Sequence, residues 1–125
     1  MNESDALMVA KRFIECLRNG DVEGIGALYH DDLIVWRNLD NRELVKAQVM
    51  KVVGFLAKNV HALAYDDVRV RPTSDGFVQT HVLRGTAPNG EQVNAYACLV
   101  VSLTGNQISR VDEYLDSAQL APLMG

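Results

Sequence analysis

Residues 77–115 read FVQTHVLRGTAPNGEQVNAYACLVVSLTGNQISRVDEYL, and this stretch decides the fold. Apolar and polar residues alternate along it, which is the period of a half-buried β-strand. The same alternation begins earlier, so that four runs are predicted as strands: about 62–71, 77–87, 92–103 and 107–115. Tripeptides with the composition of tight turns separate these runs: Ser74-Asp75-Gly76, Pro88-Asn89-Gly90 and Thr104-Gly105-Asn106. The second half of the chain is therefore predicted to be a meander of long antiparallel strands.

The residues before this meander have helical spacing. Ser4 is a suitable N-cap for a first helix over about residues 5–18, and Asn19-Gly20 has the composition of a helix C-terminus. Asp21 can cap a short second helix, which Tyr29 ends.

A strand-like run from Leu33 to Trp36 follows the second helix. Asp40 with Glu43 three residues later has the pattern of a capping box, so a third helix, expected to be the longest, is predicted from there to Lys58-Asn59. Helices grouped before strands indicate an α+β fold with the helices packed on one face of the sheet.

Length, composition and charge place limits on the class of protein. The chain has 125 residues, is 48% hydrophobic and carries a formal net charge of −4. This length predicts one domain over residues 1–125, and the acidic balance argues against a nucleic-acid partner. No apolar run is long enough to cross a membrane, and the first residues lack the basic, apolar pattern of a signal peptide. We therefore expect a cytoplasmic protein with no membrane partner.

The sequence predicts neither a metal site nor a cofactor site. Cys16 and Cys98 lack the paired spacing of metal ligands and are predicted to be buried free thiols. The acidic pairs at 31–32 and 66–67 have no evident third or fourth oxygen ligand. No glycine-rich phosphate loop, Gly-x-Ser-x-Gly elbow or His-Glu-x-x-His motif occurs, so cofactor-free chemistry is expected.

Three short motifs, in their order and spacing over nearly the whole chain, resemble the SnoaL-like group of the NTF2-like superfamily. They are Val35-Trp-Arg-Asn38, Gln79-Thr-His-Val-Leu-Arg84 and Asp112-Glu-Tyr-Leu-Asp116. The resemblance implies a cone in which three N-terminal helices pack on a strongly curved antiparallel sheet. It also implies one deep, largely apolar pocket, and a homodimer made through the other face of the sheet. Because this fold serves both enzymes and binding proteins, function has to be argued from the residues of the pocket.

Strand alternation identifies the side chains that could meet in such a pocket. Gln79 and His81 share one face of their strand, and Glu113 shares a face with Val111 and Leu115. If the face with Glu113 is concave, its carboxylate points inward. An imidazole and a carboxylate that lie within hydrogen-bond reach of each other, or of one water, can move protons near neutral pH.

The resemblance to limonene-epoxide hydrolases orients this face. Their arginine and aspartate on the earlier strand fall on Gln79 and His81, and their second aspartate falls on Glu113. Their tyrosine and asparagine that hold water fall on Trp36 and Asn38. Since Gln79 removes the cation that bridges two carboxylates, epoxide opening itself is not expected.

Each candidate residue also has a structural explanation. His81 could be a satisfied core histidine, Glu113 a solvated or salt-bridged carboxylate, and Asn38 a bridge between backbone groups. Trp36 could serve core packing, and three tyrosines are further pocket candidates: Tyr29, Tyr65 and Tyr96.

These observations predict a pocket for a small apolar or polycyclic molecule. We expect an enzyme that performs isomerisation, cyclisation, dehydration or hydration, with His81 and Glu113 as the proton-transfer pair. Gln79 would hold the imidazole or the substrate, and Asn38 would orient water or a substrate oxygen. The alternative is a non-catalytic ligand-binding or dimeric scaffold protein. A large cavity reached by both His81 and Glu113 would favour the enzyme.

The outer face of the meander bears on assembly. Strict alternation would leave Val82, Val100 and Ile108 in water there, which predicts a two-fold homodimer through the sheets. The same alternation predicts that Tyr114 faces outward and that Leu115 faces the pocket or the helices.

Overall fold

A six-stranded sheet with the order β2-β1-β6-β5-β4-β3 carries the helices on its concave side in the computed structural model, which describes residues 2–124. In chain order the elements are α1 Glu3–Asn19, α2 Val22–Leu28, β1 Tyr29–Arg37, β2 Arg42–Val45, α3 Lys46–Asn59, β3 His61–Pro72, β4 Gly76–Thr86, β5 Gln92–Thr104, β6 Gln107–Leu115, a 3-10 helix Ser117–Leu120 and α4 Ala121–Met124. The predicted α+β class is confirmed, whereas the C-terminal helical turns were not predicted.

The ends of α1 and α2 follow from local capping. Asn2, and not Ser4, is the N-cap of α1, because its side chain accepts a hydrogen bond from the backbone N–H of Asp5 at 2.9 Å. Gly20 ends the helix at φ +64°, a left-handed conformation that glycine adopts without steric cost. Asp21 caps α2 as predicted, accepting from the N–H of Gly24.

The prediction that α3 starts after Asp40 is wrong. Residues 38–41 instead form the turn of a hairpin, in which Asn41 is left-handed at φ +51° and Asp40 pairs with Arg37. The helix begins only at Lys46, where the Gln48 side chain accepts from the N–H of Val45 at 3.0 Å. With 14 residues α3 is also shorter than α1, which has 17.

Most of the sheet is the predicted antiparallel meander, but the pairing of β1 with β6 differs. β1 runs parallel to β6, so residues of β1 lie directly beside the end of the chain's last strand. β6 also contains a bulge, because Leu103 pairs with Ile108 whereas Ser102 pairs with Arg110, which leaves Ser109 as an extra residue. The bulge places Ile108 and Val111 on the same face, although they are three residues apart.

Two further bulges bend β3. The register shifts between His61 and Ala64, and again between Asp66 and Arg69. Each shift contains a residue with positive φ, Ala62 at +53° and Asp67 at +54°. Extra residues on one strand increase its twist and bend it, so β3 curves where it faces the middle of β4.

The helices cover the concave face, where the main core packs α1 and α2 against the central strands. The bulge in β6 corrects one prediction, since Ile108 is fully buried in this core instead of facing outward. Val82 does face outward, yet neighbouring side chains cover it. Of the three residues predicted to be left in water, only Val100 is exposed.

Both cysteines are free thiols. Cys16 is buried as predicted, whereas Cys98 on the outer face is half-exposed. Within residues 2–124, none of the helices is both long enough and apolar enough to span a membrane.

Candidate functional site

A cavity of about 200 Å³ lies between the concave face of the sheet and α3, with the C-terminal helical turns at one side. Its lining is mostly aliphatic, and the α3 residues Val49, Val53 and Leu56 form one wall. Five side chains with polar groups interrupt the apolar lining: Tyr29, Arg37, Tyr65, His81 and Glu113. A few convergent polar groups in an apolar cavity are typical of a small-molecule site.

Strand alternation places the two predicted proton-transfer residues in this cavity. His81 and Leu83 of β4 line it, as do Glu113 and Leu115 of β6. Tyr114 points the other way and is 47% exposed, so the predicted opposition of Tyr114 and Leu115 is confirmed.

His81 is held by two neighbours. Gln79, which is 0% exposed, donates a hydrogen bond from Nε2 to His81 Nδ1 at 3.1 Å. The Tyr65 ring meets the imidazole edge-on, with ring centroids 5.3 Å apart. Burial lowers the pKa of His81 to about 4, because the apolar surroundings disfavour the charged ring. The imidazole is therefore neutral at physiological pH.

The pKa of Glu113 is shifted in the opposite direction to that of His81. Burial raises the pKa of its carboxyl group, and the nearby positive charge of Arg37 only partly offsets this effect. Two tyrosines in the cavity also have raised pKa values, mainly because they are buried and secondly because the negative charge of Glu113 is near. The pKa of Tyr29 is raised, and that of Tyr65 is raised to about 12. The surroundings of Glu113 thus move its pKa upward towards neutral pH, which is the direction that favours general acid and base catalysis.

Arg37 is a cavity residue that the sequence analysis missed as a site residue. It lies opposite Glu113 in the parallel pairing of β1 with β6. Its Nη2 group pairs with Asp40, whereas its Nε–H is buried with no hydrogen-bond partner among residues 2–124. The alternation of Leu33 and Val35, both buried, could have revealed that Arg37 shares their inward face.

No hydrogen bond or ion pair joins His81 to Glu113 within residues 2–124. The two residues are not level with each other across β5, because Glu113 is opposite Leu99 whereas His81 is opposite Ala97. Of the two arrangements considered above, the direct contact between the imidazole and the carboxyl group is therefore not the one present among the described residues. Both groups instead reach one cavity, where a molecule could lie between them.

Trp36 and Asn38 do not line the cavity, which corrects the expectation taken from the resemblance. Trp36 alternates to the outer face, where its ring packs edge-on against Tyr114 and its Nε1 donates to Asn41 at 2.9 Å.

Asn38 joins the ends of two strands. Its N–H donates to the carbonyl oxygen of Glu113 at 3.1 Å, and its Oδ1 accepts from the N–H of Leu115 at 2.8 Å. The structural explanation for Asn38 therefore holds, because it fixes the backbone on either side of Tyr114.

The expectation that Tyr96 lies in the pocket is likewise corrected. It is 60% exposed on the outer face, because inward positions of β5 are Ala95 and Ala97. There it lines a shallow groove together with Tyr114 and Val82. Of the three tyrosines proposed for the pocket, Tyr29 and Tyr65 lie in the cavity.

Gln79 does not line the cavity itself, but it is hydrogen-bonded to His81, which does. Its Oε1 is buried and has no hydrogen-bond partner among the residues that the structure describes. Within the described part of the chain, no group of three or more His, Cys, Asp or Glu side chains is arranged to hold a metal ion.

Comparison with known proteins agrees with this architecture. A family model described as a SnoaL-like domain matches residues 10–111. Comparison with curated proteins gives no significant match.

Several solved structures have the same fold at low sequence identity. A proposed polyketide cyclase from Xanthomonas campestris is 15% identical with a TM-score of 0.84, covering all of both chains. An NTF2-like protein from Burkholderia xenovorans is 14% identical with a TM-score of 0.81, covering 100% of this chain and 99% of its own. An LEH-like epoxide hydrolase from M. tuberculosis is 15% identical with a TM-score of 0.77, covering 98% of this chain and 86% of its own. The predicted NTF2-like fold is confirmed, and the chain belongs to the SnoaL-like domain family.

Proposed function

We propose that this protein is a cofactor-free enzyme that moves a proton on a small, mostly apolar molecule bound in the cavity. Glu113 would exchange the proton with the substrate, and His81 would contact the reacting group as a neutral imidazole. One observation carries the proposal: a buried carboxyl group with a raised pKa and a buried neutral imidazole line the same apolar cavity. Titratable groups with perturbed pKa values in a cavity are candidates for catalysis.

The opposite pKa shifts give the two residues different roles. A carboxylate with a raised pKa is a stronger base than an ordinary one, and in its protonated form it can return the proton to another atom of the substrate. His81 with a pKa of about 4 stays uncharged during this exchange, so it acts through hydrogen bonding to the substrate. Isomerisation, cyclisation, dehydration and hydration all need a proton transfer of this kind.

The related folds support this class of chemistry without selecting one reaction. The similar structures include a proposed polyketide cyclase and an epoxide hydrolase. Gln79 carries no charge and bonds to His81, so it cannot bridge two carboxylates as an arginine would. We therefore place enolisation-type proton transfer ahead of epoxide opening.

We also propose that the protein forms a homodimer through the outer face of the sheet. Val100, Tyr96 and Tyr114 are exposed large apolar side chains on that face, beside the groove that contains Val82. Burying this surface against a second copy would remove apolar area from water.

The test of the catalytic proposal uses 5-nitrobenzisoxazole, a compact apolar compound whose ring opens when a base removes one C–H proton. We expect the protein to accelerate ring opening, and Glu113→Gln to slow it by about 10²-fold to 10⁴-fold. Tyr96→Phe on the outer face is the matched control and should keep the parental rate. If the parent protein binds the compound but opens it no faster than Glu113→Gln, the ligand-binding alternative replaces the enzyme.

A further inference from the structure

With the Gln79 amide oriented as it is in this structure, Nε2 towards the imidazole, its contact with His81 has one compatible arrangement of protons. A neutral imidazole has one N–H donor and one nitrogen acceptor, whereas the amide NH₂ group of glutamine can only donate. Because Gln79 Nε2 lies 3.1 Å from His81 Nδ1, Nδ1 has to accept the bond. The proton of the neutral ring is then on Nε2.

The surroundings of the ring stabilise this arrangement. His81 is 6% exposed and Gln79 is completely buried, so water does not compete for Nδ1. The edge-on contact with Tyr65 fixes the plane of the ring, and a rotated ring would present a carbon atom to the amide. Burial keeps the imidazole neutral above a pKa of about 4, so the choice between the two tautomers exists at physiological pH.

We propose that Gln79 is a positioning residue that holds His81 in the tautomer with its proton on Nε2, so that the cavity presents a hydrogen-bond donor to an oxygen atom of the ligand. This inference rests on the proposed function in that it assigns the ligand to the same cavity. It goes further by naming the ligand class, an apolar molecule that carries an acceptor oxygen such as a carbonyl.

A second group in the cavity favours the same ligand class. The Nε–H of Arg37 is buried and has no hydrogen-bond partner in the described part of the chain. A buried donor without a partner costs free energy that a bound acceptor would recover. Because Arg37 also lines the cavity, a ligand with an acceptor oxygen has a second donor group there, which a hydrocarbon of the same shape cannot use.

The tautomer can be measured directly in the free protein. The chain has three histidines, so ¹⁵N NMR of protein labelled at histidine gives few signals, and His81→Asn identifies those of His81. We expect an unprotonated Nδ1 and a protonated Nε2 at pH 7. A protonated Nδ1 in the parent protein overturns the inference, whatever the outcome of the catalytic test.

Variants at Gln79 separate positioning from packing. In Gln79→Glu the carboxylate accepts a hydrogen bond, so the proton is expected to move to Nδ1. Gln79→Met keeps the length of the side chain but makes no hydrogen bond. In this variant the Nδ1 signal of His81 should lose the shift that the amide causes. If all three proteins give the same His81 signals, Gln79 is only a packing residue. Should Gln79→Glu fail to fold, the parent protein and Gln79→Met still decide the question.

The ligand class is tested with 1-indanone and indane, which differ by one carbonyl oxygen. We expect the ketone to bind about 10-fold more tightly, as one hydrogen bond allows, and to shift the Nε2 signal of His81. Equal affinities without a shift at Nε2 would overturn the assignment of the ligand class. Because neither measurement needs turnover, failure here is distinguishable from failure of the catalytic proposal.

Discussion

Arg37 and Glu113 lie opposite each other on the parallel strands β1 and β6, and both side chains line the cavity. An arginine beside a carboxylate normally lowers the pKa of that carboxylate, yet burial dominates and the pKa of Glu113 is raised. Asp40 pairs with the guanidinium of Arg37 and takes up part of its charge. Because Asp40 shares the charge of Arg37 and burial opposes ionisation, Glu113 can hold a proton as well as release it.

The raised pKa of Glu113 predicts a stability cost at neutral pH. The folded state binds the proton more tightly than the unfolded state, so stability falls as the pH rises above the ordinary glutamate pKa of about 4.3. We expect Glu113→Gln to be more stable than the parent protein at pH 8, with a smaller difference at pH 4. Urea unfolding at both pH values measures this. An equal difference at both would show that ionisation of Glu113 has no part in it.

His81 predicts the opposite pH dependence. Its folded pKa of about 4 lies below the unfolded value of about 6.5, so the unfolded state binds a proton first as the pH falls. The parent protein should lose about 3 kcal/mol of stability through this group between pH 6.5 and pH 4. His81→Asn should lack that part of the loss. The comparison of the two unfolding curves, pH by pH, removes the contribution of all other groups.

The two cavity residues should act as one unit in turnover. Removing either Glu113 or His81 disables the same proton transfer, so Glu113→Gln and His81→Asn together should cost far less than the product of their separate effects. Single-turnover kinetics with 5-nitrobenzisoxazole on the three variants provides the comparison. Fully multiplicative losses would mean that the residues contribute independently.

Filling the cavity should weaken binding without changing any titratable group. Ala97 lies on the cavity side of β5 between His81 and Leu115, and Ala97→Leu adds three carbon atoms there. We expect this variant to bind 1-indanone at least about 10-fold more weakly, because one hydrogen bond and several apolar contacts are lost. Tyr96→Ala, at the next position on the outer face, is the control. A similar loss in both variants would move the binding site away from the cavity.

Assembly is tested on the outer face. Light scattering at micromolar concentration should give the mass of a dimer, and Val100→Glu should give that of a monomer, since a buried unpaired charge opposes association. Val100 is exposed in the isolated chain, so the variant is expected to fold. A parent protein with the mass of a monomer would refute the dimer.

The alternating pattern and the turn residues predicted most of the fold, because both depend on neighbours in sequence. β4 and β5 have no bulge between them, and Gln79 and His81 share the buried face of β4 as expected, although Tyr96 of β5 was wrongly expected in the pocket. The predictions from this pattern are wrong where the structure of a segment depends on pairing with another strand. Asp40 and Glu43 look like a helix start, but residues 42–45 form β2 because β1 offers them a partner.

The candidate site was predicted in part for the same reason. His81 and Glu113 were correctly placed because alternation along their own strands holds up to the site. Trp36 was placed through the resemblance, and alternation along β1 turns it outward and Arg37 inward. The bulge at Ser109 leaves no signature in the sequence, so Ile108 was assigned to the wrong face.

That bulge also makes the length of β6 part of the site. Ile108 anchors one end of the strand in the core, and Glu113 reaches the cavity from the other end. Five steps separate them, an odd number, and only the extra residue lets both point inward. Deleting Ser109 would leave four steps, the same number that separates their partners Leu103 and Leu99 on β5, so a regular strand would still point both side chains inward. A residue inserted between Ile108 and Glu113 would instead add a second unpaired position to β6, so an insertion in this segment should be more damaging than deletion of Ser109.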